Sequence, residues 1–92
     1  MSYYLYRIDY DQGDFGYTEH YVLEAENEDE AKERLLEGLR YWYVGDGIEP
    51  DGGGVFDNGD NTYSGEVIYE VTPDFVAQCP PIMNQFNFGR KP

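Results

Sequence analysis

The stretch Asn27-Glu28-Asp29-Glu30-Ala31-Lys32-Glu33-Arg34-Leu35-Leu36-Glu37-Gly38-Leu39-Arg40 decides the fold. Asn27 is a strong N-cap, and Glu30 three residues on completes a capping-box pattern. Glu28 and Asp29 set negative charge at the positive end of the helix dipole. At about 100° per residue, Ala31, Leu35, Leu39 and Trp42 fall within one stripe of roughly 80°, as expected of a helix lying on a sheet. Gly38 sits at the edge of that stripe, where a close approach to the sheet would offset its cost in a helix. The spacing predicts a helix from Glu28 to about Arg40. Tyr41 to Val44 either finish this helix or begin a strand.

On both sides of the helix the hydrophobic period changes to two. Before it, residues 2–10 are rich in Tyr, Leu and Ile, with Tyr4, Tyr6, Ile8 and Tyr10 on one face and Tyr3, Leu5 and Arg7 on the other. Residues 11–16 have the composition of a hairpin loop. Residues 17–25 alternate Tyr21, Leu23 and Ala25 against His20 and Val22, and the two runs pair most simply as antiparallel strands. After the helix, residues 45–54 read as a loop. Residues 55–57, the turn at Asn58-Gly59 and residues 62–71 read as a second hairpin, with Val67, Tyr69 and Val71 on one face and Glu66, Ile68 and Glu70 on the other. Thr72-Pro73-Asp74 caps a short helical turn reaching Gln78, which Pro80-Pro81 ends. Residues 80–92 read as an extended tail pinned by Phe86 and Phe88. The expected architecture is α+β: a small antiparallel sheet in ββαββ order with one helix packed across it, forming a single domain over residues 1–92.

Length and charge narrow the function. A chain of 92 residues builds one modest core, with no spare layer for a second site. Its 40% hydrophobic content argues against disorder, and no apolar run approaches the roughly 20 residues that span a bilayer. No signal-peptide pattern is visible, and the lone Cys79 rules out an internal disulfide, so the expected location is a reducing cytoplasm. Asp and Glu outnumber Lys and Arg by 19 to 6, a net charge of -13, which disfavours direct contact with nucleic acid or anionic lipid. Between residues 41 and 89 there is no Lys or Arg, while Asp46, Glu49, Asp51, Asp57, Asp60, Glu66, Glu70 and Asp74 are all acidic.

Enzymatic chemistry finds little support. Cys79 and His20 are the only thiol and the only imidazole, and no nucleophile motif surrounds either. Gly45-Asp46-Gly47 and Gly52-Gly53-Gly54 lack the following Lys of a phosphate loop. Asp57-Asn58-Gly59-Asp60-Asn61 is rich in oxygen ligands, yet Thr62 and Ile68 stand where a calcium-binding EF-hand needs Gly and Glu. One His and one Cys are too few for a dedicated transition-metal site. No catalytic residue, cofactor or metal is therefore expected.

Two features point to protein binding instead. Glu26, Glu30, Glu33 and Glu37 cluster opposite the apolar stripe, successive carboxylates lying about 5–6 Å apart. That separation is comparable to the spacing of phosphates along a nucleic-acid strand. The plainer account is a solvated face with Glu28–Lys32 and Glu30–Arg34 pairs, but the total charge exceeds what solubility requires. The ten tyrosines are the second feature: they exceed what so small a core holds, and tyrosine suits interfaces with Arg and Lys. The expected partner-binding residues are Glu26, Glu30, Glu33, Glu37, Asp46, Glu49, Asp51, Tyr41 and Tyr43.

In its small size, its lone Cys79, its glutamate cluster and its base-free stretch, the chain resembles the small acidic phage proteins that disarm bacterial defence, namely anti-CRISPR proteins and other DNA mimics. The resemblance is one of overall character and transfers no functional residue. It implies a cytoplasmic inhibitor, in a bacterial host, that blocks the nucleic-acid channel of a nuclease or another basic nucleic-acid-binding protein. The alternative is a structural or accessory phage or plasmid protein with no inhibitory role.

Overall fold

A computed structural model describes residues 1–44, 48–51, 54–57, 59 and 61–90, with the side chains of residues 42–44 outside the description. Along the chain run β1 (Ser2–Gln12), β2 (Phe15–Ala25), α1 (Glu28–Gly38), β3 (Phe56–Asp57), β4 (Thr62–Val71) and α2 (Pro73–Gln78). The result is an α+β fold built on a four-stranded antiparallel sheet. The ββαββ order of the chain is not the order of the sheet, which runs β2-β1-β4-β3. β1 is central because both its faces are apolar. Tyr4, Tyr6 and Ile8 pack under α1, while Leu5 packs on the opposite face with Val22 and Val71.

The β1–β2 hairpin is tighter than the polar segment 11–16 suggests. Gln12 pairs with Phe15, leaving only Gly13 and Asp14 in the turn. Gly13 has φ 66°, as a two-residue turn with glycine first demands. Period-two alternation then carries Tyr21, Leu23 and Ala25 to the helix face and Val22 to the other, as expected.

The helix begins where its cap predicts: the Asn27 side chain accepts a hydrogen bond from the Glu30 amide at 2.8 Å. Ala31, Leu35 and Leu39 are buried against the sheet. Residues 39–44 continue the helix as a wider π turn, so the ambiguous segment ends a helix and starts no strand. The Trp42 side chain, expected in the apolar stripe, lies outside the described residues. Gly38 does make a close approach, but to the C-terminal segment: a Cβ there would overlap the Phe88 ring.

β4 departs from simple alternation. Leu5 pairs with Tyr69 and Tyr6 with Val67, so Ile68 is an extra residue, a bulge. Up to the bulge, Tyr63 and Val67 face α1; beyond it, Val71 joins Leu5 and Val22 on the other face. Val67, Tyr69 and Val71 therefore do not share a face. A strict period of two cannot register an inserted residue.

The C-terminal segment is folded, not merely extended. Pro81–Met83 form a 3-10 turn, Asn84 makes a parallel bridge with Val22, and residues 86–89 turn back toward α1. Gln85 donates to the Val22 carbonyl (3.0 Å) and the Glu24 amide donates to the Phe86 carbonyl (3.2 Å). This closes part of the outer edge of β2. Phe86 packs on the Leu5 cluster and Phe88 on Tyr6, with ring centroids 5.0 Å apart.

Arg34 holds this arrangement together. Its side chain is 9% exposed, and it donates to the carbonyls of Glu24, Phe86 (2.8 Å) and Phe88 (2.9 and 2.7 Å). Burial lowers the Arg34 pKa from its ordinary value, and the nearby charge of Arg90 lowers it further.

Candidate functional site

The expected site residues fall into three groups. On α1, Glu33 is exposed with no cation in ion-pair reach among the described residues, whereas Glu30 lies 3.8 Å from Arg34 and Glu37 2.5 Å from Arg40. Glu26 is exposed but precedes the Asn27 cap, so it flanks the helix and does not extend its ridge. The ridge proper is Glu30, Glu33 and Glu37, with two of its three carboxylates partly offset by arginine.

The second group is brought in by tertiary folding. Arg40 donates to Glu37 (2.5 Å) and to Glu49 (2.9 Å), so one guanidinium joins the end of the helix to the loop beyond it. Asp51 is exposed, and its side chain accepts from the Val55 amide at 3.0 Å. Asp46 lies outside the described residues. Arg40 is not among the residues expected from sequence. Its only signal there is the i,i+3 spacing from Glu37, which does not predict the reach to Glu49.

The third group is aromatic. Tyr41 is exposed at the end of the helix; the Tyr43 side chain lies outside the described residues. The other tyrosines divide between core and surface. Tyr4, Tyr6 and Tyr63 are buried, Tyr3, Tyr10 and Tyr21 are half-buried, and Tyr17 and Tyr69 are exposed. Tyr10 contacts Tyr17 and Tyr63 with centroids 4.5 and 4.8 Å apart, so part of the tyrosine excess is spent on the face under α1.

Over the whole surface, each Lys and Arg among the described residues lies within 4.0 Å of a carboxylate. Arg7 reaches Asp9 and Glu66, Lys32 reaches Glu28, Arg34 reaches Glu30, Arg40 reaches Glu37 and Glu49, and Arg90 reaches Glu24. The exposed pairs among them, such as Lys32–Glu28, add little stability. Their consequence is electrostatic: among the described side chains, carboxylates such as Glu26, Asp29 and Glu33 are left without an opposite neighbour.

The remaining chemistry is sparse. The Cys79 thiol donates to the Phe75 carbonyl at 3.3 Å, and His20 is an exposed strand residue. No group of three or more His, Cys, Asp or Glu is placed to hold a metal among the described residues. No helix among them is long and apolar enough to cross a membrane. Compared with protein-family models, curated proteins and solved structures, the chain finds no match in any of the three.

Proposed function

We propose that the chain is a binding protein that inhibits a basic, nucleic-acid-handling protein, such as a nuclease, by occupying its nucleic-acid channel in the cytoplasm of a bacterial host. The observation that carries this reading is that every described Lys and Arg is already held by a carboxylate, so the charge offered to a partner is negative. A cationic channel loses favourable phosphate contacts when emptied and regains comparable ones from Glu33, Glu26 and the neighbouring loop carboxylates. The exposed ring of Tyr41 adds a cation–π surface for incoming Arg or Lys. Its anti-CRISPR-like character, as a DNA mimic, belongs to this proposal.

The test is a panel of bacterial nucleases titrated with the protein while DNA binding is measured. Glu26→Lys with Glu33→Lys should weaken a positive interaction by about 1.5 kcal/mol or more, since close charge pairs across interfaces couple by that much. Both side chains are exposed and without a cation partner among the described residues, so the fold should survive the change. Unaltered affinity in the double variant would remove the helix flank from the interface.

A further inference from the structure

We infer that the open edge of β4, together with the flank of α1 above it, receives an extended basic segment of the partner protein as a fifth strand. A cavity of about 470 Å³ lies between Lys32, Leu35 and Leu36 of α1 and residues 65–68 of β4. Val67 belongs to the core under α1, whereas Ile68 packs with the Leu5 cluster and Glu66 binds Arg7 on the opposite face. A cavity touched by both faces of one strand lies at that strand's edge.

That edge is unpaired among the described residues. β3 pairs with β4 only at Thr62 and Tyr63, and no described strand continues along the outer side of β4 from residue 64 to 71. The other outer edge of the sheet, along β2, is already partly closed by Gln85 and Phe86. An added strand hydrogen-bonds to the backbone groups of an open edge and lays alternate side chains against the walls. Leu36, 39% exposed, supplies an apolar wall. Gly65 lets Leu35 of α1 pack closely on β4, since a Cβ there would crowd Leu35 at 3.1 Å and the Arg7 carbonyl at 2.8 Å.

Charge selects the occupant. Glu28 and Glu66 border the cavity, each already facing a cation, Lys32 at 3.9 Å and Arg7 at 3.0 Å. The sign of the occupant therefore follows from the net charge of -13 carried by the whole chain. A second copy of this chain would bring a further net charge of -13 to the same edge, which opposes self-association. A segment carrying Lys or Arg is attracted. In the sign of the partner's charge this inference rests on the function proposed above; in its strand geometry it does not.

The experiment uses the full chain, isotope-labelled, and three capped octapeptides: alternating Lys-Val, the same peptide N-methylated at alternate residues, and alternating Glu-Val. The Lys-Val peptide should slow amide exchange at residues 64–68 by about tenfold or more at saturation, and N-methylation should weaken its binding about tenfold. Equal binding by the N-methylated peptide, or no slowing at residues 64–68, would overturn strand addition and leave the acidic-inhibitor reading intact. Equal binding by the Glu-Val peptide would overturn the basic occupant and count against acidic recognition, with strand addition intact.

Discussion

Arg34 and Phe88 are 54 residues apart in the chain, yet the Arg34 guanidinium donates to the Phe88 carbonyl through both Nε (2.9 Å) and Nη2 (2.7 Å). The same side chain reaches the carbonyls of Phe86 and Glu24, so helix, sheet edge and C-terminal segment meet on one buried cation. Carbonyl acceptors satisfy this charge where it is buried, with the Glu30 carboxylate 3.8 Å away.

Replacing Arg34 by Ala removes a charged donor from three carbonyls, of which that of Phe86 keeps the Glu24 amide. Hydrogen bonds to charged groups contribute about 1.5–3 kcal/mol each, so the loss should be about 3 kcal/mol or more, a fall in Tm of roughly 12–24 °C. Arg34→Lys should recover little of it, because an ammonium group lacks the planar fork that spans several acceptors. Thermal melts of the two variants check this; full stability in Arg34→Lys would show that charge alone suffices.

Gly38 and Phe88 should be energetically coupled. Gly38→Ala puts a methyl group into the Phe88 ring and should destabilise, against the usual gain from replacing a helical glycine. Phe88→Ala should cost about 3–5 kcal/mol as a buried aromatic truncation. With both substitutions present, the methyl group added at position 38 has room. The two effects should then sum to less than their separate costs, which a double-mutant cycle by urea denaturation measures.

Deleting Ile68 should be far more harmful than Ile68→Ala. Deletion removes the bulge and turns either Val71 off the Leu5 and Val22 cluster or Val67 off the core under α1. Truncation to Ala leaves the register in place and removes only a half-buried side chain. Far-UV and near-UV circular dichroism of both variants should show a folded Ile68→Ala protein and a deletion variant without fixed tertiary packing.

Salt should act in opposite directions on the free protein and on its complex. Self-repulsion of a chain with net charge -13 is screened as salt rises, so Tm should increase between low salt and about 0.5 M. Affinity for a basic partner should fall over the same range. Melting the free protein and titrating a partner at the same two concentrations separates the effects, and an affinity indifferent to salt would place the contact on apolar or backbone groups.

Local features were legible in the sequence because their causes lie within a turn or two of chain. The Asn27 cap, the buried series Ala31, Leu35 and Leu39, the two faces of the β1–β2 hairpin and the Thr72 cap of α2 each depend on close neighbours in the chain. The surplus of carboxylates over cations was legible too, as was the pairing of Glu28 with Lys32.

Tertiary structure alone decided the remainder. Arg34 has the same spacing from Glu30 that Lys32 has from Glu28, but it is buried, because carbonyls 10, 52 and 54 residues away converge on it. Arg40 joins Glu37 to Glu49 only because the fold brings Glu49, nine residues on, within 2.9 Å of its guanidinium. The bulge at Ile68 follows from fitting β4 against β1 with apolar side chains needed on both faces, a demand that no alternation within β4 records. Spacing in the sequence determined which groups each element carries; which of them are buried, bridged or left facing a partner depends on long-range packing, where desolvation and distant backbone acceptors outweigh local propensity.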